Sequence, residues 1–182
     1  MTILNILKYP EKSLLEPSEE VIIIDNKIDQ ELLSLIDNMG ETMFAAPGVG
    51  LAAPQVGVNK RIIVFDTGAN SQQNSKEEPE KEFKGLINPE IIKKTGNIVS
   101  ENEGCLSVPD LTSNVKRYEN VVVKAIDTEG QPLEFEAQGI KAVIMQHEID
   151  HLDGVLFFER ISLLKRQMYK KRIAKKQKES EK

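Results

Sequence analysis

The chain of 182 residues is 40% apolar, 29% charged and 5% aromatic, which fits one globular domain with a core of moderate size and excludes a disordered chain. Its longest aliphatic run, Val21 to Ile24, falls far short of the about 20 apolar residues of a membrane span, and its single cysteine, Cys105, excludes an internal disulfide. The net charge of −5 is uneven: nine Lys or Arg and two Glu from Lys165 to Lys182 make that segment +7 and the rest −12, a pattern that suits a polyanionic partner such as ribosomal RNA as well as a solvated helix end.

The N-terminal stretch MTILNILKYP lacks the basic start and long apolar run of a secretory signal, which predicts a cytoplasmic protein. From about Asp29 to Ala46, Leu32, Ile36, Met39 and Met43 recur at spacings of 4, 3 and 4, so the segment reads as an amphipathic helix with Asp29 as its N-cap. Pro47 to Gln55 (PGVGLAAPQ) holds too much Gly and Pro to continue it and reads as an ordered loop. Arg61 to Asp66 and Gly85 to Ile92 are predicted strands, and the polar run from Thr67 to Lys84 between them an exposed, mobile insertion. Val121 to Asp127 and Leu133 to Ala137 alternate around the turn Thr128 to Gln131, a hairpin pattern. A helix is predicted from about Ile140 to Leu152, ending near Gly154, and another, capped by Ser162, carries the basic tail. No internal repeat is visible. The order of elements predicts an α+β fold, with antiparallel or mixed β-sheets around a central helix, an N-terminal helix and a C-terminal basic helix. It divides the chain into one domain over residues 1–164 and a basic helical tail over 165–182.

His147-Glu148-Ile149-Asp150-His151 is an HExxH sequence on the central helix, and it contains both histidines of the protein. Positions i and i+4 share a helix face, so both imidazoles can reach one metal ion, with Glu148 beside it as a general base. A catalytic site of this kind usually has three protein ligands and water, and no histidine is left for the third. Asp153 is too close along the helix, and Glu159 too near for the long spacing of Glu-ligated proteases. Cys105, in Glu103-Gly104-Cys105-Leu106-Ser107, is the remaining strong ligand, although a lone cysteine is often a core residue instead. Gly48 to Ala53 also fits GxGxxA, but a helix precedes it where a dinucleotide site needs a strand, and Pro54 stands where the phosphate-binding helix would run.

Three segments together, Gly48 to Gln55, Glu103 to Ser107 and Gln146 to His151, closely resemble the signature motifs of peptide deformylases. A weaker likeness covers Leu7-Lys8-Tyr9-Pro10 and most of the chain to about Leu164. The resemblance implies a hydrolase that removes the formyl group from formyl-methionine at the N-termini of nascent chains. It implies that Cys105, His147 and His151 bind the metal, with ferrous iron in the cell and zinc, nickel or cobalt as substitutes. A metal-bound hydroxide would attack the formyl carbon, Glu148 would pass the proton to the departing amine, and the Gln55 amide and Leu106 backbone N–H would hold the developing oxyanion. Ile140, Val143 and Ile144 precede His147 by seven, four and three residues and so share its helix face. The resemblance makes them walls of the methionine pocket, with Val49 opposite, and pairs the Gly50 backbone with an extended substrate. The long 67–84 insertion, Glu101 and Thr112 depart from the family pattern, which commonly has an apolar residue near the first of these two positions and a basic one near the second. In bacterial members a C-terminal helix docks on the ribosome, a role that the +7 tail suits. Two other readings compete: a zinc endopeptidase, for which a third His or Glu ligand is missing, and a catalytically silent ribosome-binding protein with a structural metal, which needs a fourth protein ligand.

Overall fold

A computed structural model describes residues 2–69 and 82–180. Its elements are α1 (Gln30–Ala45), β1 (Gly50–Ala52), β2 (Ile62–Asp66), β3 (Phe83–Thr95), β4 (Ile98–Cys105), β5 (Val108–Arg117), β6 (Asn120–Ile126), β7 (Pro132–Gln138), α2 (Ile140–Leu152) and α3 (Leu163–Ser180). The five strands β1-β2-β3-β6-β7 form one sheet in that order, and β4 and β5 pair separately. Every pairing among these strands is antiparallel, so of the two sheet types expected the antiparallel one is found in this α+β fold.

The run IIVF of β2 is buried throughout because a helix covers each face of the sheet. Ile62 and Val64 pack with Ile36, Met39 and Met43 of α1, whereas Ile63 and Phe65 pack with Ile144, Met145 and Ile149 of α2. As expected, Asp29 caps α1, its Oδ1 accepting from the Glu31 N–H at 2.6 Å. The third core cluster joins Val108 and Val115 of β5, Phe157 and Phe158 of the 3-10 turn at 157–160, and Tyr169 and Ile173 of α3. The basic helix is therefore docked along one face, and Ser162 caps it, with its carbonyl accepting from the Arg166 N–H at 3.0 Å.

Three expectations change. The expected loop at 47–55 contains β1, because Gly50 to Ala52 pair with Phe65 to Ile63 before Ala53–Val56 turn in a 3-10 arc. The second predicted strand runs on to Thr95, its exposed end held by pairing with β6 rather than by apolar burial. The β4–β5 hairpin was not predicted. Of the expected insertion, residues 70–81 lie outside the described residues, Phe83 and Lys84 belong to β3, and Thr67 closes onto Glu82 by an N–H to carbonyl bond of 3.0 Å.

Candidate active site

Helix α2 is covered on nearly all sides: ten of its thirteen residues are buried, including Gln146, Glu148, Asp150 and His151. Such a helix is unusual in carrying so many polar groups, and each must find a partner or a ligand. Gln146 is satisfied by the backbone of Tyr118, donating to its carbonyl at 2.8 Å and accepting from its N–H at 2.9 Å, which ties α2 to the β5–β6 connection. His147 and His151 lie one turn apart with ring centroids 5.1 Å from each other. The hairpin then brings Cys105, the last residue of β4, against them, with its Sγ 3.1 Å from His151 Nε2.

The donor atoms of Cys105, His147 and His151 all lie within 4.8 Å of one another. Metal–sulfur and metal–nitrogen bonds of about 2.0–2.3 Å in a tetrahedral site put donors about 3.5 Å apart, so the set fits a metal ion. Glu103 fixes the orientation of one candidate donor: its Oε1 lies 2.8 Å from His147 Nδ1, which leaves Nε2 to face the site. Burial and the neighbouring His147 hold the His151 imidazole well below its ordinary range, in the neutral form that ligates. For His147, burial opposes protonation, but the hydrogen bonds of Cys105 and Glu103 outweigh it and raise the group. Glu148 is 4% exposed, its Oε2 has no protein partner among the described residues, and burial pushes its carboxyl up to about 7.

Behind the candidate donors runs a buried ion network that sequence reasoning missed. Arg117 donates through Nη2 to Glu103 Oε1 at 2.5 Å and through Nη1 to Asp150 Oδ2 at 2.6 Å, and Arg160 also pairs with Asp150. Burial alone would raise Glu103, but His147 and Arg117 together hold it down at about 2. The available signal was Asp150, a charge embedded between Ile149 and Leu152, which implies a cation folded against it.

A cavity of about 750 Å³ opens in front of the ligands, lined by Val49, Gly50, Gln55, Cys105, Leu106, Ile140, Val143, Ile144, His147 and Glu148, with His151 buried behind them. Apart from His151, which lies behind it, the site residues singled out from the sequence thus line one cleft. Gln55 is held with its carbonyl oxygen accepting from the Ala52 N–H at 2.8 Å and its amide nitrogen 3.6 Å from Cys105 Sγ, so its donor end faces the site. Gly50 lies close against Glu148: a Cβ there would stand 2.3 Å from Glu148 Oε1.

The sequence model of the polypeptide deformylase family matches residues 3–167. A peptide deformylase of Thermodesulfovibrio yellowstonii is 49% identical over 173 residues, which cover 95% of this chain and 98% of that one. The crystal structure of a Legionella pneumophila peptide deformylase superposes with a TM-score of 0.82 at 38% identity, covering 100% of this chain and 99% of that one. A class I type b peptide deformylase of Acinetobacter baumannii, solved with Met-Ala-Ser bound, gives 0.78 at 38% identity and covers 88% and 99%. With a family match over most of its length, full-length relatives and the same fold, the chain belongs to the polypeptide deformylase family.

Proposed function

We propose that this chain removes the formyl group from formyl-methionine at the N-terminus of nascent chains through a metal held by Cys105, His147 and His151, with Glu148 as its general base. The observation that carries the reading is the convergence of these three donors beside one cleft with the Glu148 carboxylate, whose Oε2 has no protein partner among the described residues. A bound divalent metal supplies Lewis acidity, polarising the formyl oxygen and acidifying water. Glu148 takes a proton from water in the cleft and returns it to the departing amine, work suited to a carboxyl held near neutrality. The Gln55 amide and the Leu106 backbone N–H donate to the oxygen where negative charge develops. Val49, Ile140, Val143 and Ile144, which line the cleft, enclose the methionine side chain, and the Gly50 backbone pairs with the extended peptide; that the Acinetobacter relative binds Met-Ala-Ser supports a peptide of this kind as the ligand. Thiolate and imidazole donors accept ferrous iron, the ion proposed in the cell, and also zinc, nickel or cobalt.

Product analysis on formyl-Met-Ala-Ser tests the reading. The expected products are formate and intact Met-Ala-Ser; cleavage between Met and Ala would replace the deformylase reading with an endopeptidase. In the same assay Gly50→Ala is expected to lower kcat on the order of 10²-fold, because the added methyl displaces a buried carboxylate that has little room to retreat. Unchanged kcat would mean that the position of Glu148 is not critical.

The working place proposed is the bacterial cytoplasm, at the ribosome. No helix of the described residues is long and apolar enough to cross a membrane. Tyr169 and Ile173 anchor one face of α3, while Leu164, Met168, Lys171 and Lys175 recur at helical spacing on an exposed face. Apolar side chains set among lysines suit a ribosomal surface of RNA and protein. Changing Lys171, Lys175 and Lys178 to Glu is expected to weaken ribosome sedimentation and its salt dependence, with turnover of a short peptide unchanged; undiminished binding would sink the role.

A further inference from the structure

The cleft walls carry four carboxylates, Glu101, Glu103, Asp110 and Glu148, and no Lys or Arg among the described residues that line them. Three of the four are already committed. Glu103 is neutralised by Arg117, Glu148 stands at the metal centre, and Asp110 accepts from Lys176 Nζ at 2.8 Å with Arg172 and Lys8 nearby. Glu101 differs. Its side chain is exposed in the cleft with no hydrogen bond or ion pair among the described residues, and its chain neighbours Ser100 and Asn102 are uncharged, as are Asn114 and Val115 across the hairpin.

Its place along β4 determines what it meets. Glu101 precedes Cys105, the proposed ligand, by four positions, about 13 Å at 3.3 Å per residue, somewhat less because β4 is bulged on either side of Glu103. An extended peptide anchored by its formyl group at the metal covers that distance by its third or fourth residue.

We propose that Glu101, on the unbalanced acidic wall of the cleft, makes this enzyme select nascent chains with Lys or Arg at the third or fourth residue over chains with Asp or Glu there. The inference rests on the deformylase reading. The contact is remote from the reacting atoms, so it acts through substrate binding, in KM rather than kcat, and weakens with salt.

The test compares C-terminally amidated formyl-Met-Ala-Lys-Lys, formyl-Met-Ala-Gln-Gln and formyl-Met-Ala-Glu-Glu with the metal-loaded full chain. At low salt the Lys-Lys peptide is expected to exceed Glu-Glu on the order of tenfold in kcat/KM, about 1.4 kcal/mol spread over a difference of four unit charges. Glu101→Gln is expected to reduce the ratio to about threefold or less, and Glu101→Lys to reverse it. Equal kcat/KM values, or a ratio unmoved in Glu101→Gln, would overturn the proposal. Calorimetric affinities of the deformylated Met-Ala-Lys-Lys and Met-Ala-Glu-Glu amides read the same selection without turnover. Equal affinities would refute charge selection, whereas selective binding without formate release would refute the deformylase reading alone.

Discussion

Replacing Glu148 with alanine is expected to lower formate release from formyl-Met peptides by about 10³-fold while metal content stays unchanged, within the range that a positioned acid–base group contributes. The carboxylate is buried beside the ligands, yet its Oε2 has no protein partner among the described residues. A structural carboxylate in such a place would be tied to a cation, as Glu103 and Asp150 are. Glu148→Gln sharpens the comparison, since it keeps shape and hydrogen-bonding capacity but cannot accept the proton. Loss of turnover in both variants, with metal retained in both, supports the proton-transfer role. A glutamine variant as active as the parent would assign Glu148 to packing instead.

Arg117→Met is expected to have the largest effect on stability. The guanidinium side chain is 2% exposed and bridges Glu103 of β4 to Asp150 of α2, so its removal leaves two buried carboxylates short of a partner. Breaking a buried ion pair from one side costs about 3–5 kcal/mol, which for a domain of this size lowers the unfolding midpoint by roughly 10 °C. The pH dependence has a definite sign. Glu103 is held down at about 2, so its contribution is complete above its ordinary pKa of 4.5 and is lost as pH falls from there towards 2. The parent should therefore lose stability steeply across that window, and the variant less steeply. Because Glu103 also orients His147, the variant is expected to bind metal more weakly. A thermal midpoint and metal affinity both equal to the parent's would show that the network positions nothing.

The central helix was legible because both histidines fall in one HExxH set among the apolar residues of a buried helix. The capped ends at Asp29 and Ser162 were legible for the same reason, since side-chain caps act within three residues. The β4–β5 hairpin was not. Its register shifts between Ser100 and Glu103 and again before Cys105, which breaks the alternation of a strand. Moreover, the residues it buries include Glu103, Ser113 and Arg117, polar groups whose burial makes sense only once Asp150 and His147 are folded against them. Strand β1 was hidden in a Gly-Pro segment because three residues carry no period, and only the partner strand β2 makes it extended. Local pattern thus singled out the two histidines and the family resemblance Cys105, while the groups packed against them come from segments far apart in the chain.

The most direct measurement is formate release from formyl-Met-Ala-Ser as the apoprotein is titrated anaerobically with ferrous iron. The predicted result is activity that rises with bound metal to a plateau at one ion per chain and is absent when Cys105 is changed to alanine. Metal-replete protein that releases no formate would contradict the account.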